Sequence, residues 1–301
     1  MFDIIIIGGG PAGLTAAVYA RRAGKSVLVI EKETFGGQIT FSPKVENIPG
    51  FASVSGSEFA EKLTEQAMGQ GAELECCEVL GIEDGPIKKV ITDDGTFEAK
   101  AVIIATGARH RLLGIPDEEK YIGDGISFCA VCDGAFYKDQ TVAVIGGGNS
   151  AMQEAILLSE QCKKVYVFQN LADFTGERAL ADQLREKENV EIRFETVVDS
   201  VIDEGGFSGL RIKNANGGET VEVRADGMFI AIGLVPQNEP FSGVLDLNQF
   251  GYADIDESCT AKTEGIFVAG DCRSKRIRQV ATAASDGAIA ALAACDYIDN
   301  L

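Results

Sequence analysis

The sequence predicts an α/β fold in which a strand, a glycine-rich turn, a helix and a second strand occur twice. Residues 3–7 are a β-branched run typical of a strand buried on both faces, and the glycine-rich residues 8–13 follow directly. Residues 14–23 have helical periodicity, and residues 26–30 form a second strand that ends at Glu31. An acid about 20 residues after the turn is the context in which such a turn binds a dinucleotide.

The same unit returns in the second half of the chain. Residues 141–145 predict a strand, residues 146–151 a second glycine-rich turn, and residues 165–168 the strand after the next helix. Gly146 follows Gly8 by 138 residues, and the same offset relates the later strands of the two units. Two copies in this context predict two Rossmann-like dinucleotide-binding units.

The residue at the end of the second strand differs between the units. Glu31 in the first unit is an acid that can accept hydrogen bonds from a ribose 2′-hydroxyl, as adenosine in FAD or NAD requires. The offset of 138 places Gln169 at the equivalent position of the second unit, followed by Asn170 and Leu171. Neither an acid for an NAD ribose nor an arginine for an NADP phosphate stands there. The first unit therefore has the acid expected at a nucleotide-binding site, and the second unit lacks it.

Composition and charge limit the classes of function. The chain has 301 residues, with 27 Lys or Arg and 46 Asp or Glu, so its formal net charge is −19. Such an acidic surface repels nucleic acid and anionic membranes. No apolar run reaches the roughly 18 residues of a membrane span, and Asp3 stands where a signal peptide needs a basic region. We expect a cytoplasmic protein that binds neither nucleic acid nor membrane.

One pair among the eight cysteines has a functional spacing. Cys129 and Cys132 are two residues apart, whereas the others are scattered, namely Cys76, Cys77, Cys162, Cys259, Cys272 and Cys295. Zinc is disfavoured because no second such pair exists and His110 is the only histidine, so we expect no metal site. A pair of inert buried thiols and a redox dithiol at a helix start both remain open. Asp133 is a candidate proton carrier, or else an acid that complements the helix dipole.

Further elements follow the second unit. Residues 224–232 and 265–269 predict strands, and residues 281–294 predict a packed terminal helix. The turn at Gly270 and Asp271, with Arg278 opening the helix, suits contact with a flavin or its phosphates, although a plain turn has the same sequence.

Together these motifs resemble those of the low-molecular-weight thioredoxin reductases, and the resemblance covers nearly the whole chain. The matching segments are residues 8–13, 36–38, 45–50, 105–107, 129–134, 270–273 and 278–283. The resemblance implies two Rossmann-like domains of the three-layer ββα FAD/NAD(P)-binding type, the second inserted in the first. The FAD-binding domain would comprise residues 1–112 and 240–301. The inserted domain, with the cysteine pair and a degenerate pyridine-nucleotide fold, would comprise residues 113–239.

The resemblance also implies the roles of residues and the partners. Cys132 would lie nearer the flavin, Cys129 would attack thioredoxin, and Asp133 would handle the proton. The cofactor FAD would be held by the glycine turn, the acid after it and the C-terminal turn, namely Gly8, Gly10, Pro11, Ala12, Gly13, Glu31, Lys32, Gly37, Gln38, Asn47, Thr106, Gly107, Gly270, Asp271, Arg278, Gln279 and Val280. We expect a homodimer. Tyr297 would either stack on the flavin or pack at the helix end.

The departure from the family pattern lies after the second glycine turn. NADPH-using members carry a His-Arg-Arg stretch and one further arginine there, whereas this chain has Gln169, Asn170 and Leu171, and then Thr175. Each charge-assisted hydrogen bond to phosphate is worth roughly 1.5–3 kcal/mol. Losing three cations therefore weakens NADPH binding by several orders of magnitude.

This pattern is similar to that of the ferredoxin-dependent flavin thioredoxin reductases, which keep the fold and the dithiol but lack the pyridine-nucleotide motifs. The expected function is reduction of thioredoxin with electrons from ferredoxin. Two alternatives stay open, an NAD(P)H-dependent thioredoxin reductase with an atypical nucleotide site and a non-catalytic flavin and dithiol redox sensor. Ferredoxins are generally acidic, so docking needs a local basic patch. The candidate clusters, each of which is also typical of ordinary solvated surface, are Arg21, Arg22 and Lys25; Arg109, His110 and Arg111; and Arg273, Lys275 and Arg276.

Overall fold

The computed structural model describes residues 1–42 and 44–301. The chain forms two compact units, one made of Met1–Arg109 with Val235–Leu301 and the other of His110–Leu234. The second unit is therefore one continuous insertion in the first. Over the described residues, no helix combines the length and apolar character needed to span a bilayer.

Strands and helices alternate along much of the chain. The strands are, in chain order, β1 (Phe2–Ile7), β2 (Val27–Glu31), β3 (Glu73–Cys76), β4 (Val79–Glu83), β5 (Lys88–Thr92), β6 (Gly95–Ile104), β7 (Ala108–His110), β8 (Ile126–Ser127), β9 (Thr141–Ile145), β10 (Lys164–Phe168), β11 (Val190–Arg193), β12 (Thr196–Asp203), β13 (Phe207–Asn214), β14 (Val221–Arg224), β15 (Gly227–Ile230), β16 (Leu234–Pro236) and β17 (Ile266–Val268). The α-helices are α1 (Pro11–Arg22), α2 (Gly56–Gly69), α3 (Ala130–Asp133), α4 (Asn149–Ser159), α5 (Arg178–Arg185) and α6 (Val280–Asp299). Short 3₁₀ turns lie at Gly37–Phe41, Glu118–Tyr121, Gly134–Tyr137, Glu239–Phe241 and Gly270–Cys272.

A parallel sheet organises the first unit. Its strand order is β3-β2-β1-β6, with β17 also parallel to β6, and β5 and β4 continue it as antiparallel strands. The β1 side chains alternate between two cores. Ile4 and Ile6 pack with α1 and α6, whereas Ile5 and Ile7 pack with residues on the other face, including Val90. Both faces of the sheet are thus covered, as its continuous β-branched sequence predicts.

The second unit repeats this arrangement. β11-β10-β9-β15-β8 is a parallel sheet, and β12, β13 and β14 form an antiparallel one. Val142 and Val144 of β9 pack with α4, whereas Ala143 and Ile145 pack on the opposite face with the antiparallel strands. The predicted α/β class, with two Rossmann-like units and one inserted in the other, is confirmed.

One predicted strand is wrong in extent. The sequence predicts a single strand over residues 224–232, but β14 ends at Arg224 and a new strand begins at Gly227. The chain changes sheets between them, because Asp226 N donates to Thr141 O over 2.7 Å and the Asp226 carboxylate accepts from Thr141 N over 2.8 Å. These two bonds fix the point at which the chain leaves the antiparallel sheet and enters the parallel one.

The terminal helix is longer than predicted, Val280–Asp299 in place of residues 281–294. Its small residues allow close approach to α1, since a Cβ on Gly287 would lie only 2.1 Å from Ala12 O. Near the end of the helix, Tyr297 packs edge-on against Phe267, with ring centroids 6.2 Å apart. The structure therefore favours the helix-end interpretation of Tyr297.

Candidate active site

The turn between β1 and α1 brings bare backbone to the start of a helix. Gly8 has φ +113°, and a Cβ there would lie 2.3 Å from Ala105 O. A Cβ on Gly13 would lie 1.9 Å from Gly8 O, so neither position has room for a side chain. Gly10 caps α1 without a side-chain hydrogen bond, and Pro11 is the first helical residue. This geometry suits an anion such as a pyrophosphate.

Glu31 closes the turn from the end of β2. Its Oε2 accepts a hydrogen bond from Gly9 N over 2.7 Å, and its Oε1 accepts one from Glu33 N over 2.9 Å. Each carboxylate oxygen can accept a second bond, so Glu31 can still bind a ribose hydroxyl. Lys32, by contrast, pairs with Glu78 over 3.4 Å.

The loop after β2 lies over the glycine turn. Gly36 N donates to Gly9 O over 2.7 Å. Gly37 has φ +64°, and a Cβ there would lie 3.1 Å from Gly10 Cα. Gln38 follows on the same 3₁₀ turn with its side chain exposed. The structure thus brings Gly37 to the start of α1, with Gln38 next to it in the chain.

A buried asparagine joins the end of β6 to the C-terminal turn. Thr106 Oγ1 donates to Asn238 Oδ1 over 3.4 Å, and Gly107 follows with φ +68°. Asn238 is fully buried, and its Nδ2 donates to Cys272 O over 2.7 Å. Asn238 lies far from both partners along the chain, and no motif in the sequence marks it.

The C-terminal turn presents a carboxylate oxygen that lacks a hydrogen bond. Asp271 Oδ1 is buried and has no hydrogen-bond partner among the described residues. Lys275 Nζ lies 3.9 Å away, and burial raises the pKa of Asp271 although the lysine opposes this. Arg278 stacks on the Tyr252 ring at 4.4 Å. A buried acceptor of this kind calls for a donor from a bound molecule.

The start of α6 gathers other predicted residues. Gln279 caps the helix, and Val280 is its first residue. Asn47 Nδ2 donates to Gln279 Oε1 over 3.1 Å, which ties the loop after the first 3₁₀ turn to the helix. A Cβ on Gly270 would lie 2.8 Å from Ala12 Cβ, so the C-terminal turn packs directly on α1.

Asp286 on α6 anchors the C-terminal turn through buried charges. Its Oδ2 accepts from Gly270 N over 3.0 Å, from Arg273 Nε over 2.8 Å and from Lys275 Nζ over 2.9 Å, and its Oδ1 accepts from Arg273 Nη2 over 2.9 Å. Burial by itself raises the pKa of Asp286, but these donors hold it below its usual value. Arg273 is 1% exposed. The expectation that Arg273 and Lys275 belong to a docking patch is therefore wrong, because both are committed to Asp286.

Several basic side chains of the other two predicted clusters are also engaged within the protein. Arg21 donates to the backbone oxygens of Gln70 and Lys25. Lys25 pairs with Asp299, and Arg109 pairs with Glu33. The exposed arginines left from the three clusters are Arg22, Arg111 and Arg276.

The second glycine turn is closed by a glutamine. A Cβ on Gly147 would lie 2.2 Å from Gln169 Nε2, so this side chain packs directly on the turn. Gln169 is 4% exposed and is hydrogen-bonded locally, donating to Asp173 O over 3.2 Å and accepting from Asn170 N over 3.1 Å. The loop that follows Gln169 is bonded to the same glycine turn, because Thr175 N donates to Gly147 O over 2.9 Å. Both polar atoms of the Gln169 amide are thus hydrogen-bonded within its own loop.

Cations near this loop are paired with acids. Arg185 pairs with Asp173 over 3.0 Å, and Arg193 pairs with Glu191 over 2.6 Å. Positions 170, 171 and 175 are exposed but carry Asn, Leu and Thr. The loop therefore offers a phosphate no charged donor at these positions.

The cysteine pair forms a disulfide at a short helix. Cys129 caps α3, and its Sγ accepts from Cys132 N over 3.2 Å. The two sulfurs are bonded, with the Cα atoms 5.3 Å apart. Between them, Ala130 is buried whereas Val131 is 65% exposed, so the disulfide turn reaches the surface on one side. A disulfide within Cys-X-X-Cys favours the redox interpretation over inert thiols.

Asp133 lies one residue beyond the disulfide. Its Oδ2 accepts from Ser127 Oγ over 2.6 Å, whereas its Oδ1 is buried with no partner among the described residues. Burial raises the pKa of Asp133, and the bond from Ser127 opposes this. A carboxyl with a raised pKa beside a disulfide is suited to proton transfer.

Comparison with known proteins places this chain in a family. Residues 2–287 match the family Pyridine nucleotide-disulphide oxidoreductase. The chain belongs to this family. The thioredoxin reductase of Bacillus subtilis is 39% identical over 303 residues, which cover 100% of this chain and 96% of the relative. A 34.2 kDa protein in the rubredoxin operon of Clostridium pasteurianum is 40% identical over 298 residues, 98% of this chain and 97% of that protein.

A solved structure agrees with these relatives. The crystal structure of thioredoxin reductase from Streptococcus pyogenes has a TM-score of 0.95 and 39% identity, covering 100% of this chain and 99% of that one. As a pyridine nucleotide-disulphide oxidoreductase, the chain is a thioredoxin reductase-like flavoprotein that acts on a disulfide, and its cofactor is FAD.

The first unit of this pyridine nucleotide-disulphide oxidoreductase fits FAD. The glycine turn leaves space for a pyrophosphate at α1, Glu31 retains acceptor capacity, and the buried Asp271 Oδ1 lacks a donor that a ribityl hydroxyl would supply. Asn238 and Asp286 hold the C-terminal turn in place but carry no local sequence signal, since each bonds to partners distant in the chain.

Replacing Asp286 by asparagine is expected to loosen the FAD site and destabilise the fold. The variant removes the buried carboxylate and leaves Arg273 paired only with the solvent-exposed Glu257, and breaking a buried ion pair costs about 3–5 kcal/mol. Gly270, which Asp286 holds by its N–H, would lose its anchor. We expect the free energy of unfolding in denaturant to fall by about that amount, and the protein to retain less FAD after dialysis.

Glu257→Gln is the matched control for Asp286→Asn. Glu257 also accepts from Arg273 Nη2, over 2.9 Å, but its side chain is 86% exposed, so its loss should cost less than about 1 kcal/mol. Equal stability and FAD content in the two variants would contradict the anchoring role of Asp286.

Proposed function

We propose that this chain is a thioredoxin reductase that receives electrons from reduced ferredoxin and not from NAD(P)H. Electrons would pass through FAD to the Cys129–Cys132 disulfide and then to thioredoxin. The observation that carries the choice of donor is the loop after β10, where Gln169 packs on Gly147 and positions 170, 171 and 175 lack a cation. The relatives named thioredoxin reductase support thioredoxin as the substrate.

The first unit would hold the cofactor by its two turns. FAD, when bound, supplies the electron pair that reduces the disulfide. The N-terminus of α1 and the bare glycines favour the pyrophosphate, Glu31 accepts from the adenosine ribose, and Asp271 accepts from a ribityl hydroxyl. Asp286 keeps the second turn in place through Gly270.

Cys129 would be the thiol that attacks thioredoxin. The Cys132 N–H that donates to Cys129 Sγ also stabilises a thiolate there. The Cys129 thiolate attacks one sulfur of the thioredoxin disulfide, forms a mixed disulfide and displaces a thioredoxin thiolate, which takes up the proton released from Cys129. Cys132 then attacks Cys129 Sγ and restores the enzyme disulfide. Asp133 takes the Cys132 proton and passes it to the second departing thiolate, so two electrons and two protons move in each cycle.

The electrostatics of the second unit argue against NADPH. A 2′-phosphate needs charge-assisted donors, each worth roughly 1.5–3 kcal/mol. The nearby Arg185 and Arg193 are already paired with Asp173 and Glu191. Ferredoxin bypasses this requirement, because it delivers single electrons and a flavin can accept them one at a time.

We also infer that the protein is a homodimer. Ile289 and Leu292, the latter 50% exposed, lie on the outer face of α6 in the single chain. Exposed apolar residues one helical turn apart are typical of a surface that a second copy covers.

The donor proposal is tested by mixing the oxidised holoprotein anaerobically with reduced ferredoxin, NADPH or NADH. We expect reduced ferredoxin to bleach the flavin absorbance and to support repeated reduction of thioredoxin, and both nicotinamides to leave the absorbance unchanged. Rapid bleaching by NADPH or NADH would instead support an atypical nucleotide-dependent enzyme. Bleaching by ferredoxin without turnover of thioredoxin would support a redox sensor.

A further inference from the structure

Ser127 occupies a buried position directly before the redox disulfide. It is the last residue of β8, an edge strand of the parallel sheet in the second unit, and it is 5% exposed. The chain continues from it through Phe128 to Cys129, which caps α3. Neither the motif spacing nor the resemblance singled out Ser127.

The Ser127 hydroxyl makes two hydrogen bonds, one as acceptor and one as donor to the Asp133 carboxylate. Cys129 N can only donate, and it donates to Ser127 Oγ over 3.1 Å. The hydroxyl has one proton, so it is free to donate that proton to Asp133 Oδ2, 2.6 Å away. Ser127 therefore connects the backbone of the attacking cysteine to the carboxyl group of Asp133.

This connection decides which oxygen of Asp133 can exchange a proton. Oδ2 is held by Ser127, whereas Oδ1 is buried and has no partner among the described residues. The backbone of Asp133 is fixed as well, since its N–H donates to Cys129 O over 3.0 Å. The side chain is thus held at one oxygen, and the other is available to a transient partner.

We propose that Ser127 is a positioning residue for proton transfer, holding Asp133 so that its Oδ1 carries the proton from Cys132 to the departing thioredoxin sulfur. This inference rests on the proposed function. When the Cys132 sulfur bonds to Cys129 Sγ, its proton passes to Asp133 Oδ1. The bond between Cys129 Sγ and thioredoxin breaks with its electron pair on the thioredoxin sulfur, which then takes the proton from Asp133. Ser127 exchanges no proton in this sequence.

Other titratable groups lie on the elements that follow or pack against α3, and their titration must be separated from that of Asp133. On the following 3₁₀ turn, burial raises the pKa of Tyr137 to about 12, with further contributions from Asp133, Asp124 and Asp226. On α4, which packs against α3, burial raises the pKa of Glu154 to about 8. The titration of Glu154 must therefore be distinguished from that of Asp133 in any pH profile.

The test is the pH dependence of thioredoxin reduction by the holoenzyme, first reduced chemically so that the natural donor plays no part. We expect Ser127→Ala to slow the reaction about ten- to a hundredfold, the value of one hydrogen bond to a charged group. The bond from Ser127 lowers the pKa of Asp133. Losing this bond should therefore move the Asp133 limb, the part of the pH–rate profile that follows the titration of Asp133, to higher pH. Ser127→Thr, which keeps the hydroxyl, should restore both the rate and the limb.

Two further variants identify the limb. Asp133→Asn should remove it, and Glu154→Gln should leave it in place. A limb that persists in Asp133→Asn and disappears in Glu154→Gln would overturn the proposal, as would a Ser127→Ala enzyme with the wild-type rate and profile. Reduced wild-type enzyme that fails to reduce thioredoxin would refute the proposed function itself, and with it this role of Ser127.

Discussion

Replacing Cys129 by serine abolishes thioredoxin reduction, and replacing Cys132 by serine traps thioredoxin on the enzyme; these are the expected results for the two cysteines. Without Cys129 no thiolate attacks thioredoxin, so turnover falls to background. Without Cys132 nothing attacks Cys129 Sγ, so the mixed disulfide persists. Non-reducing electrophoresis and mass spectrometry measure the trapped complex, and a thioredoxin turnover assay measures the loss.

Cys76→Ser is the matched control for these two variants. Cys76 is an exposed free cysteine on β3 of the first unit, outside the disulfide. Its replacement should leave turnover unchanged and trap no complex. Full thioredoxin reduction by Cys132→Ser would show that the roles assigned to the two cysteines are wrong.

Introducing three arginines after β10 is expected to create affinity for NADPH. The variant combines Asn170→Arg, Leu171→Arg and Thr175→Arg, all at exposed positions, so the fold should tolerate it. At about 1.5 kcal/mol or more for each charge-assisted bond, three arginines should tighten NADP⁺ binding by roughly three orders of magnitude. Calorimetric titration with NADP⁺ measures the change. Binding should weaken as salt rises, since the new contacts are ionic.

The control variant places glutamine at the same three positions, which separates the effect of charge from that of side-chain size. It keeps long polar side chains but lacks the cations, so NADP⁺ should bind it as weakly as the wild type. Tight NADP⁺ binding by the wild type would contradict the inference drawn from Gln169 and its loop. Unchanged weak binding by the arginine variant would show that the closure of Gly147 by Gln169, and not charge alone, excludes the nucleotide.

Features that depend on residues close together in the chain could be predicted from the sequence. The two glycine turns follow β-branched strands directly, and the Cys129–Cys132 spacing is complete within four residues. Glu31 could be predicted because its distance from Gly8 is set by one helix and one strand. The sequence likewise shows that positions 170, 171 and 175 carry no cation.

Features made by residues distant in the chain needed the structure. In the sequence, Arg273 and Lys275 look like part of a surface patch. In the structure both side chains are buried and donate to Asp286, which lies more than ten residues further on. Similarly, the single strand predicted across Asp226 ignored its bonds to Thr141, which lies in another sheet. Local patterns report side-chain type, whereas burial decides which charges must be paired.

The amino-acid sequence by itself determined the α/β class, its repeat and the redox pair, because short-range periodicity and spacing encode strands, turns and adjacent cysteines. Only the tertiary structure decided that Gln169 packs on the second glycine turn, that Asp286 anchors the C-terminal turn, and that Ser127 bonds to one oxygen of Asp133. The direction of a hydrogen bond depends on which atoms the fold brings within about 3 Å, and that proximity is not a property of any segment alone.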